Sequence, residues 1–485
     1  MQEPAIEKFK NKFAVVGSET NCFFFPLYIW NRAACQERVK EILGTNLKNY
    51  FFLFEKDGWQ QYWIEEELKK FANYCIERIL EDKNYIGEIE AKVKKANDKL
   101  VEVSDKILQT NLEQKTEKEL FELFEKYYNA LYEVFASGSV LAVCIDLQHL
   151  TLTNKLKNWL MPLLEKQSKI QKFAEYFSIL TTPIEKIATQ KEKEELLQLK
   201  KKMQTENIEK ALEKHAKKYA WIGFKYNGPA WTLQNFKERL EQLEEKPKEE
   251  KGIHEKQKEI EETTGMPANL SKLFSAARTI MWIKNHGKES RYYSYFCVEK
   301  LIEEISKRTS YSAKEIKFLT KEETAELLLN KKRFDELLKE RTKSTLHLFI
   351  ENKEFLITGE KANEIVKQLK EKEEKIDYEK PLTGMPASPG IAEGTARIIN
   401  STADISKMQK GDILIAHQTN PDLAIAMEKA AAIVTEVGGL TCHAAIVARE
   451  LRKPAIVGVD NLLKAIKDGD YIKVDAEKGI IRILK

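Results

Sequence analysis

The stretch GGLTCHAAIVARE, residues 438–450, places one histidine, His443, after two glycines, a threonine and a cysteine. The residues that follow are mostly alanine, isoleucine and valine, with the spacing of a helix that buries one face. Gly438 and Gly439 permit a tight turn and the close approach of another molecule, and Thr441 is a suitable N-cap. The pattern therefore predicts that His443 lies in the first turn of a helix.

A helix start is a particular chemical environment for an imidazole. Its unpaired backbone N–H groups and its dipole stabilise negative charge, by about 0.3–1 kcal/mol at an exposed site, and they disfavour an imidazolium. His443 should therefore be neutral and nucleophilic near pH 7, beside a site that suits a phosphate. The stretch alone leaves an alternative, a buried histidine whose ring binds a loop carbonyl. No histidine or carboxylate lies at helical ligand spacing from His443, so no metal site is predicted.

The residues around this stretch predict a small α/β domain. After Gly384, β-rich runs from GTARII to IIRIL alternate with PDLAIAMEKA, CHAAIVAREL and NLLKAIK, which are each apolar on one helical face. We therefore predict that residues 384–485 form one compact α/β domain.

The preceding part of the chain differs in its periodicity. Up to about residue 345, apolar residues recur at helical spacing, and glycine and proline are sparse. This pattern predicts a large, mostly α-helical N-terminal region. A charged stretch, 244–265, divides it into the helical regions 1–245 and 246–370.

Local signals near the end of the helical region are more specific. Ser312 and Thr320 are each followed three residues later by a glutamate, which predicts two capping boxes. TLHLFIENKEFLITG predicts a β-hairpin that turns at Asn352-Lys353. The charged residues 371–383 predict a linker to the α/β domain.

Composition excludes several classes of function. Lys and Arg number 80 against 76 for Asp and Glu, a formal net charge of +4, so we predict neither a nucleic-acid nor a membrane partner. The six cysteines form no CxxC pair, which indicates a reducing compartment and no disulfide framework. The run CFFFPLYIW is too short to span a membrane and lacks the flanks of a signal peptide. A cytoplasmic location is predicted.

The C-terminal motifs resemble the mobile phosphohistidine domain of phosphoenolpyruvate (PEP)-utilising enzymes. The resemblance runs in sequence order through GMPASPGIAEGTARI, GDILIAHQTNPDLAIAMEKAAAIVTE, GGLTCHAAIVARE, KPAIVGV and DGDYIKVDAEKGIIRIL. The family includes PEP synthase, pyruvate phosphate dikinase and rifampicin phosphotransferase, and TCHAAI is most similar to the first. The resemblance implies a swivelling domain in which His443 is the phosphorylated, catalytic residue.

It also implies supporting roles for neighbours of His443. The residues implied to bind or support the phosphate are Gly438, Gly439, Thr441, Cys442 and Arg449. Thr441 falls at the position of a regulatory phosphorylation site in plant dikinases. The Arg449 guanidinium would pair with phosphate oxygens, although an ordinary salt bridge is its alternative, and Cys442 is expected to pack and not to attack.

A weaker resemblance covers residues 270–370, which are similar to the segment before the mobile domain in rifampicin phosphotransferase. Where that enzyme has an Arg-Glu pair, this chain has Lys284-Asn285, so rifampicin is not the expected acceptor. A locally basic stretch there is a candidate acceptor site for a phosphate- or carboxylate-bearing ligand, with a solvated helix face as the alternative. Its residues are Lys284, His286, Lys288 and Arg291.

These observations predict a phosphotransferase component that moves a phosphoryl group on His443 from ATP or PEP to a small-molecule acceptor bound by the helical region. We recognise no glycine-rich nucleotide loop and neither the ATP-grasp domain nor the TIM barrel of PEP synthase. ATP and Mg²⁺ are therefore expected on a partner, a separate ATP-grasp or other phosphoryl-donor protein, and no cofactor on this chain. The charged segment Glu371–Lys380 is the expected hinge. The alternatives are a regulatory module switched by histidine phosphorylation and a scaffold in which His443 is idle.

Overall fold

The computed structural model forms two compact units. The helical unit comprises Met1–Leu147, Pro183–Lys256 and Ser271–Glu371, and the C-terminal unit comprises Gln148–Thr182, Gln257–Leu270 and Lys372–Lys485. The structure describes residues 6–10, 12–20, 24–34, 36–55, 58–147, 150–202, 208–243, 252–370, 381–400, 402–419, 423–439 and 442–484.

Helices dominate the chain up to residue 370. The α-helices of the described residues are α1 (Phe24–Ala34), α2 (Glu37–Leu43), α3 (Glu65–Glu81), α4 (Tyr85–Gln109), α5 (Glu117–Val134), α6 (Val140–Cys144), α7 (Thr151–Lys166), α8 (Phe173–Thr181), α9 (Ala188–Lys202), α10 (Glu209–Tyr219), α11 (Trp221–Phe224), α12 (Leu233–Gln242), α13 (Ile253–Thr263), α14 (Ala268–Arg308), α15 (Ala313–Ile316), α16 (Lys321–Asn330), α17 (Asp335–Arg341), α18 (Glu360–Leu369), α19 (Ala424–Lys429), α20 (His443–Glu450) and α21 (Leu462–Ala465). Short 3₁₀ turns lie at Glu7–Phe9, Leu112–Gln114, Ile170–Lys172 and Thr402–Lys407, and a π-helical turn at Phe135–Ser139. None of these described helices is long and apolar enough to cross a membrane.

Two sheets accompany the helices. Their strands are β1 (Phe13–Thr20), β2 (Tyr50–Glu55), β3 (Gly58–Ile64), β4 (Ser344–Ile350), β5 (Lys353–Thr358), β6 (Leu382–Thr383), β7 (Met385–Ser388), β8 (Ile391–Ile398), β9 (Ile413–Ala416), β10 (Ala432–Thr435), β11 (Ala455–Val457), β12 (Tyr471–Asp475) and β13 (Ile480–Ile483). The first sheet has the order β1-β3-β2-β4-β5, and every neighbouring pair is antiparallel.

The first sheet corrects the sequence analysis, which assigned only helices to the residues before about 345. The mostly helical character is confirmed, but β1, β2 and β3 lie near the N-terminus. In β2 the five residues from Tyr50 to Phe54 are all buried, so the strand is covered on both faces and lacks the alternation that marks a half-buried strand. Its partner β4 pairs Tyr50 with Phe349, almost 300 residues away.

Several local predictions for the helical region agree with the structure. Thr116, Ser312 and Thr320 each begin a helix with a capping box, and the last two were expected. β4 and β5 form the expected hairpin. Its turn residues, Glu351 and Asn352, both have a positive φ, so the turn lies one residue earlier than predicted.

The C-terminal unit contains a mixed eight-stranded sheet in the order β6-β13-β12-β8-β9-β10-β11-β7. β8, β9, β10 and β11 run parallel, while β7 and β12 are antiparallel to their neighbours. Each predicted strand run of this region forms a strand, and α19, α20 and α21 are the predicted helices. The sheet buries one contiguous apolar core that includes Ile413, Val434, Ile456, Leu462 and Ile472, so the predicted compact α/β fold is present.

The predicted domain boundaries stay predictions. Residues 148–182 and 257–270, which the sequence places in the helical regions, cluster with the C-terminal residues in the structure. Most of the predicted linker, residues 371–380, lies outside the described residues, and so does 244–251 at the predicted division of the helical region.

Candidate functional site

Three parallel strands of the C-terminal unit end at the same edge of its sheet. Beyond β9 and β10 the pairing continues, because the Glu436 N–H donates to the Ala416 carbonyl (3.0 Å) and the Val437 N–H donates to the His417 carbonyl (2.9 Å). After β11, the Val459 N–H donates to the Thr435 carbonyl (3.1 Å). The carboxyl edge of a parallel sheet is where α/β proteins bind ligands, so these segments frame a candidate site.

The chain turns sharply at this edge. Gly438 has a φ of +135°, and a Cβ at this position would lie 2.8 Å from the Cys442 Sγ. Both the conformation and the space therefore require glycine. Gly439 has no positive φ, and its added Cβ would only make ordinary contact with Leu150, at 3.4 Å. The predicted tight turn is confirmed, and Gly438 alone is required for it.

Helix α20 begins at His443, so the prediction of a first-turn position is confirmed. The expected N-cap, Thr441, is wrong, because the cap residue is Cys442, whose Sγ accepts a hydrogen bond from the Ala445 N–H (3.4 Å). Cys442 is the last extended residue before the helix, and a sulfur atom is a weak acceptor that can fill this role. Thr441 itself lies outside the described residues.

Packing holds the start of α20 at the sheet edge. Ala444, Ala445 and Ala448 are buried, and the helix contacts β7, β10 and β11. Ile446 lies on the opposite side and is 44% exposed. The start of the helix lies near the carboxyl end of β10, because a Cβ added at Gly438 would meet both the Cys442 Sγ (2.8 Å) and the Oγ1 of Thr435 (3.6 Å), the last residue of that strand. The N–H groups of the first helical turn are therefore near this edge of the sheet.

Arg449 folds back along α20 toward its start. Its Nε donates to the carbonyl of Ala445 (2.9 Å), and the N–H of the same Ala445 donates to the Cys442 Sγ at the helix cap. Burial lowers the pKa of Arg449, and the attraction of Cys442 partly opposes this, but a guanidinium remains charged at neutral pH. The arginine thus brings positive charge toward the helix cap, and its predicted contact with phosphate stays a prediction.

A histidine–carboxylate pair at the same edge was missed by the sequence analysis. His417 Nδ1 lies 2.8 Å from Glu436 Oε2, and the other Glu436 oxygen accepts from the Leu463 N–H (3.2 Å). The sequence contained the signal, because His417 and Glu436 each follow a buried run, ILIA and AIVT, that forms a parallel strand. Residues directly after neighbouring parallel strands meet at one edge.

The four candidate acceptor residues lie on α14, in the helical unit. Lys284, Lys288 and Arg291 are four and three residues apart and share one side of the helix, whereas His286 lies on another side. His286 stacks on Trp282 with ring centres 4.7 Å apart. The two lysines are exposed, and Arg291 is half-buried.

His286 is therefore separated from the basic side of α14. Burial lowers its pKa, against the attraction of Asp98 and Glu185. Its Nε2 is buried and has no hydrogen-bond partner among the described residues. The neutral form is favoured, so His286 adds no positive charge to the candidate site, and whether the four residues bind an acceptor stays a prediction.

The described residues contain no group of three or more His, Cys, Asp or Glu side chains that could hold a metal ion. The absence of a metal site was predicted for the whole sequence, and part of that sequence lies outside the described residues, so it stays a prediction.

Comparison with known proteins identifies the C-terminal part of the chain. Residues 408–479 match the family model described as "PEP-utilising enzyme, mobile domain". A probable PEP synthase of Archaeoglobus fulgidus is 47% identical over 131 residues, which are 26% of this chain and 17% of the relative. The PEP synthase of Pyrococcus furiosus is 47% identical over 111 residues, 23% of this chain and 14% of the relative.

A third relative extends the similarity. The rifampicin phosphotransferase of Bacillus cereus is 31% identical over 266 residues, 52% of this chain and 28% of the relative. A match of this length exceeds residues 384–485, so it includes part of the preceding helical region. The matched segments span less than a third of each relative.

Proposed function

We propose that the C-terminal unit, which carries the mobile domain of the PEP-utilising enzymes, transports a phosphoryl group on His443. The observation that carries this proposal is the position of His443 at a helix start, after the Gly438 turn and at the carboxyl edge of the parallel sheet. The first-turn N–H groups would donate to the phosphoryl oxygens. Arg449 would add a charge-assisted contact.

The proposed reaction has two balanced steps. An imidazole nitrogen of His443 attacks the phosphorus of the donor, a nitrogen–phosphorus bond forms, and the bond from phosphorus to the donor's leaving oxygen breaks. An oxygen of the acceptor then attacks the same phosphorus, the nitrogen–phosphorus bond breaks, and any proton of the acceptor oxygen passes to a base. The neutral imidazole favoured at a helix start suits the first step.

The donor and the acceptor complete the proposal. The ultimate donor would be ATP, bound with Mg²⁺ on a separate ATP-grasp or other phosphoryl-donor protein, or PEP. The helical unit would bind a small-molecule acceptor, and the mobile domain would swing between the two sites. Residues 371–380, the proposed hinge, lie outside the described residues. The similarity to a rifampicin phosphotransferase beyond the mobile domain supports an acceptor-binding role for the helical part.

The experiment is phosphohistidine mapping of the full-length protein. The protein would be incubated with magnesium and either PEP or ATP labelled at the β or γ position, with and without a candidate donor protein. Mass spectrometry would be run at neutral or alkaline pH, because phosphohistidine is labile in acid. We expect label on His443, its loss in His443→Ala, and its retention in His254→Ala, which changes an exposed histidine of α13.

The outcomes separate the parts of the proposal. Label that persists at another residue in His443→Ala would contradict the phosphorylated site. Stoichiometric label from ATP without any added protein would contradict the separate donor and reveal a nucleotide site within residues 1–383. Label that reaches His443 but never leaves for any acceptor would instead favour the regulatory module.

A further inference from the structure

A π-helical turn interrupts the helices in the core of the helical unit. Phe135–Ser139 form this turn between α5 and α6, and all five residues are buried. The Ser139 hydroxyl donates to the Val134 carbonyl (3.1 Å) and accepts from Arg291 Nη1 (2.8 Å). Single π-turns within helices are frequent at functional sites, because the extra residue redirects a side chain. Here the redirected side chain, Ser139, binds an arginine of α14.

Two contacts hold the Arg291 guanidinium in place. Besides the bond to Ser139, it lies 5.1 Å from the centre of the Phe135 ring. Gly287, one turn earlier on α14, provides the space, since a Cβ there would lie 3.1 Å from Arg291 Nη1. An arginine fixed by an aromatic ring and a hydroxyl has lost much of its freedom before any ligand arrives.

Arg291 differs in its charge partner from four other arginines of the helical unit that are at least partly buried. Arg32, Arg239, Arg308 and Arg341 each form an ion pair with a glutamate. Among the described residues, Arg291 has no carboxylate within 4.0 Å, and Ser139 occupies one of its five N–H donors. A half-buried, unneutralised charge is costly, whereas the free fork of a guanidinium matches the two oxygens of a carboxylate or phosphate.

The surroundings of Arg291 favour a small oxyanion. Lys288 lies one turn earlier on the same side of α14, with its Nζ 5.4 Å from the centre of the Tyr292 ring. Tyr292 contacts Tyr226, with ring centres 5.2 Å apart. The four residues Arg291, Lys288, Tyr292 and Tyr226 are called the oxyanion patch below. The two cations of this patch would attract an anion, and the tyrosine rings beside them would contact the apolar part of a small ligand.

We infer that the oxyanion patch binds the carboxylate or phosphate of the small acceptor, with Arg291 as its main anchor. This inference rests on the proposed function, whose acceptor it assigns to the class of oxyanion-bearing small molecules. Arg291 is a binding residue and takes part in no bond-making step. His286, on another side of α14, does not belong to the patch, and Lys284 lies one turn beyond it.

Arginine-specific labelling tests the site in the full-length protein. Phenylglyoxal would modify the protein in the presence of inorganic phosphate, acetate or neither, and peptide mass spectrometry would report the Arg291 adduct. We expect phosphate, acetate or both to slow labelling of Arg291, and Arg78, which pairs with Asp82, to be unaffected. Protection by phosphate alone would assign a phosphate ester, and protection by acetate alone would assign a carboxylic acid. Protection by neither overturns the inference.

Variants distinguish a binding role from a packing role. Arg291→Met keeps the aliphatic contacts but loses the charge-assisted hydrogen bonds. Calorimetry should therefore show that the anion that protects Arg291, phosphate or acetate, binds this variant about 10- to 100-fold more weakly. Arg291→Lys keeps the charge without the fork and should be intermediate. Lys214→Met, which changes an exposed lysine of α10, should bind like the wild type. Unchanged affinity in Arg291→Met, with only a lower melting temperature, would show a packing role and overturn the inference.

The same variants separate this inference from the proposed function. Arg291→Met should still accept label on His443, because donor chemistry does not need the acceptor site. Loss of transfer to the acceptor with retained His443 label supports the oxyanion patch. Label absent from His443 in the wild type would refute the carrier role, while the phenylglyoxal result would still report on the anion site.

Discussion

Gly438→Ala should uncouple the start of α20 from the sheet, and the structure gives the size of the effect. Forcing a residue with a Cβ to a φ of +135° costs about 1–2 kcal/mol. The added Cβ would lie 2.8 Å from the Cys442 Sγ and 3.2 Å from its Cβ, an overpacking that costs about 1–3 kcal/mol more. The expected loss of local stability is therefore about 2–5 kcal/mol.

Two matched variants isolate the causes. Gly469→Ala also places alanine at a positive φ, +99°, but its Cβ would meet nothing within 4 Å, so it should cost only the strain of about 1–2 kcal/mol. Gly439→Ala has neither strain nor a close contact, so it should be neutral or slightly stabilising. Adding Cys442→Ala to Gly438→Ala removes the Sγ and should restore part of the loss.

Hydrogen exchange with mass spectrometry of peptides spanning residues 432–459 measures these differences without assuming two-state unfolding. A loss of 2 kcal/mol corresponds to roughly 30-fold faster exchange, since about 1.4 kcal/mol is a factor of ten. His443 labelling should fall in Gly438→Ala and persist in Gly439→Ala. Equal damage from Gly439→Ala and Gly438→Ala would contradict this prediction, and so would a loss of stability in Gly438→Ala no greater than that in Gly469→Ala.

Three further predictions concern single side chains. Burial lowers the pKa of His347 from its ordinary value of about 6.5. Between that value and the lower folded-state pKa the unfolded chain binds a proton that the folded chain does not, so the free energy of unfolding should fall with decreasing pH by up to about 1.4 kcal/mol per unit. Denaturant titrations in this pH range should show a smaller slope in His347→Gln, and an equal slope contradicts this. The His417–Glu436 pair lies at the sheet edge where α20 begins, and we expect it to position that edge for phosphorylation of His443. Glu436→Gln should leave exchange protection intact but reduce the rate of His443 phosphorylation about tenfold, the worth of one charge-assisted hydrogen bond; a wild-type rate in single-turnover labelling would reject this positioning role. Arg449→Lys should lower the yield of phosphohistidine about tenfold because lysine lacks the guanidinium fork, and a normal yield excludes the phosphate contact.

The sequence by itself determined the features whose signals are local. The strand and helix runs of residues 384–485 follow one another closely, and their parallel pairing brings together neighbours in the chain. The position of His443 at a helix start followed from its glycines and the apolar run after it. The capping boxes at Ser312 and Thr320 need only four consecutive residues each.

Only the tertiary structure decided the features that join distant residues. β2 is a strand because β4, almost 300 residues later, pairs with it, and its aromatic residues suit a helix equally well by periodicity. The pairing of Arg291 with Ser139 crosses 152 residues, and that of His417 with Glu436 depends on the register of two parallel strands. Gly438, and not Gly439, is the required glycine because Cys442 folds back against it. Side-chain contacts of this kind are set by packing between elements, which periodicity and spacing along the chain do not encode.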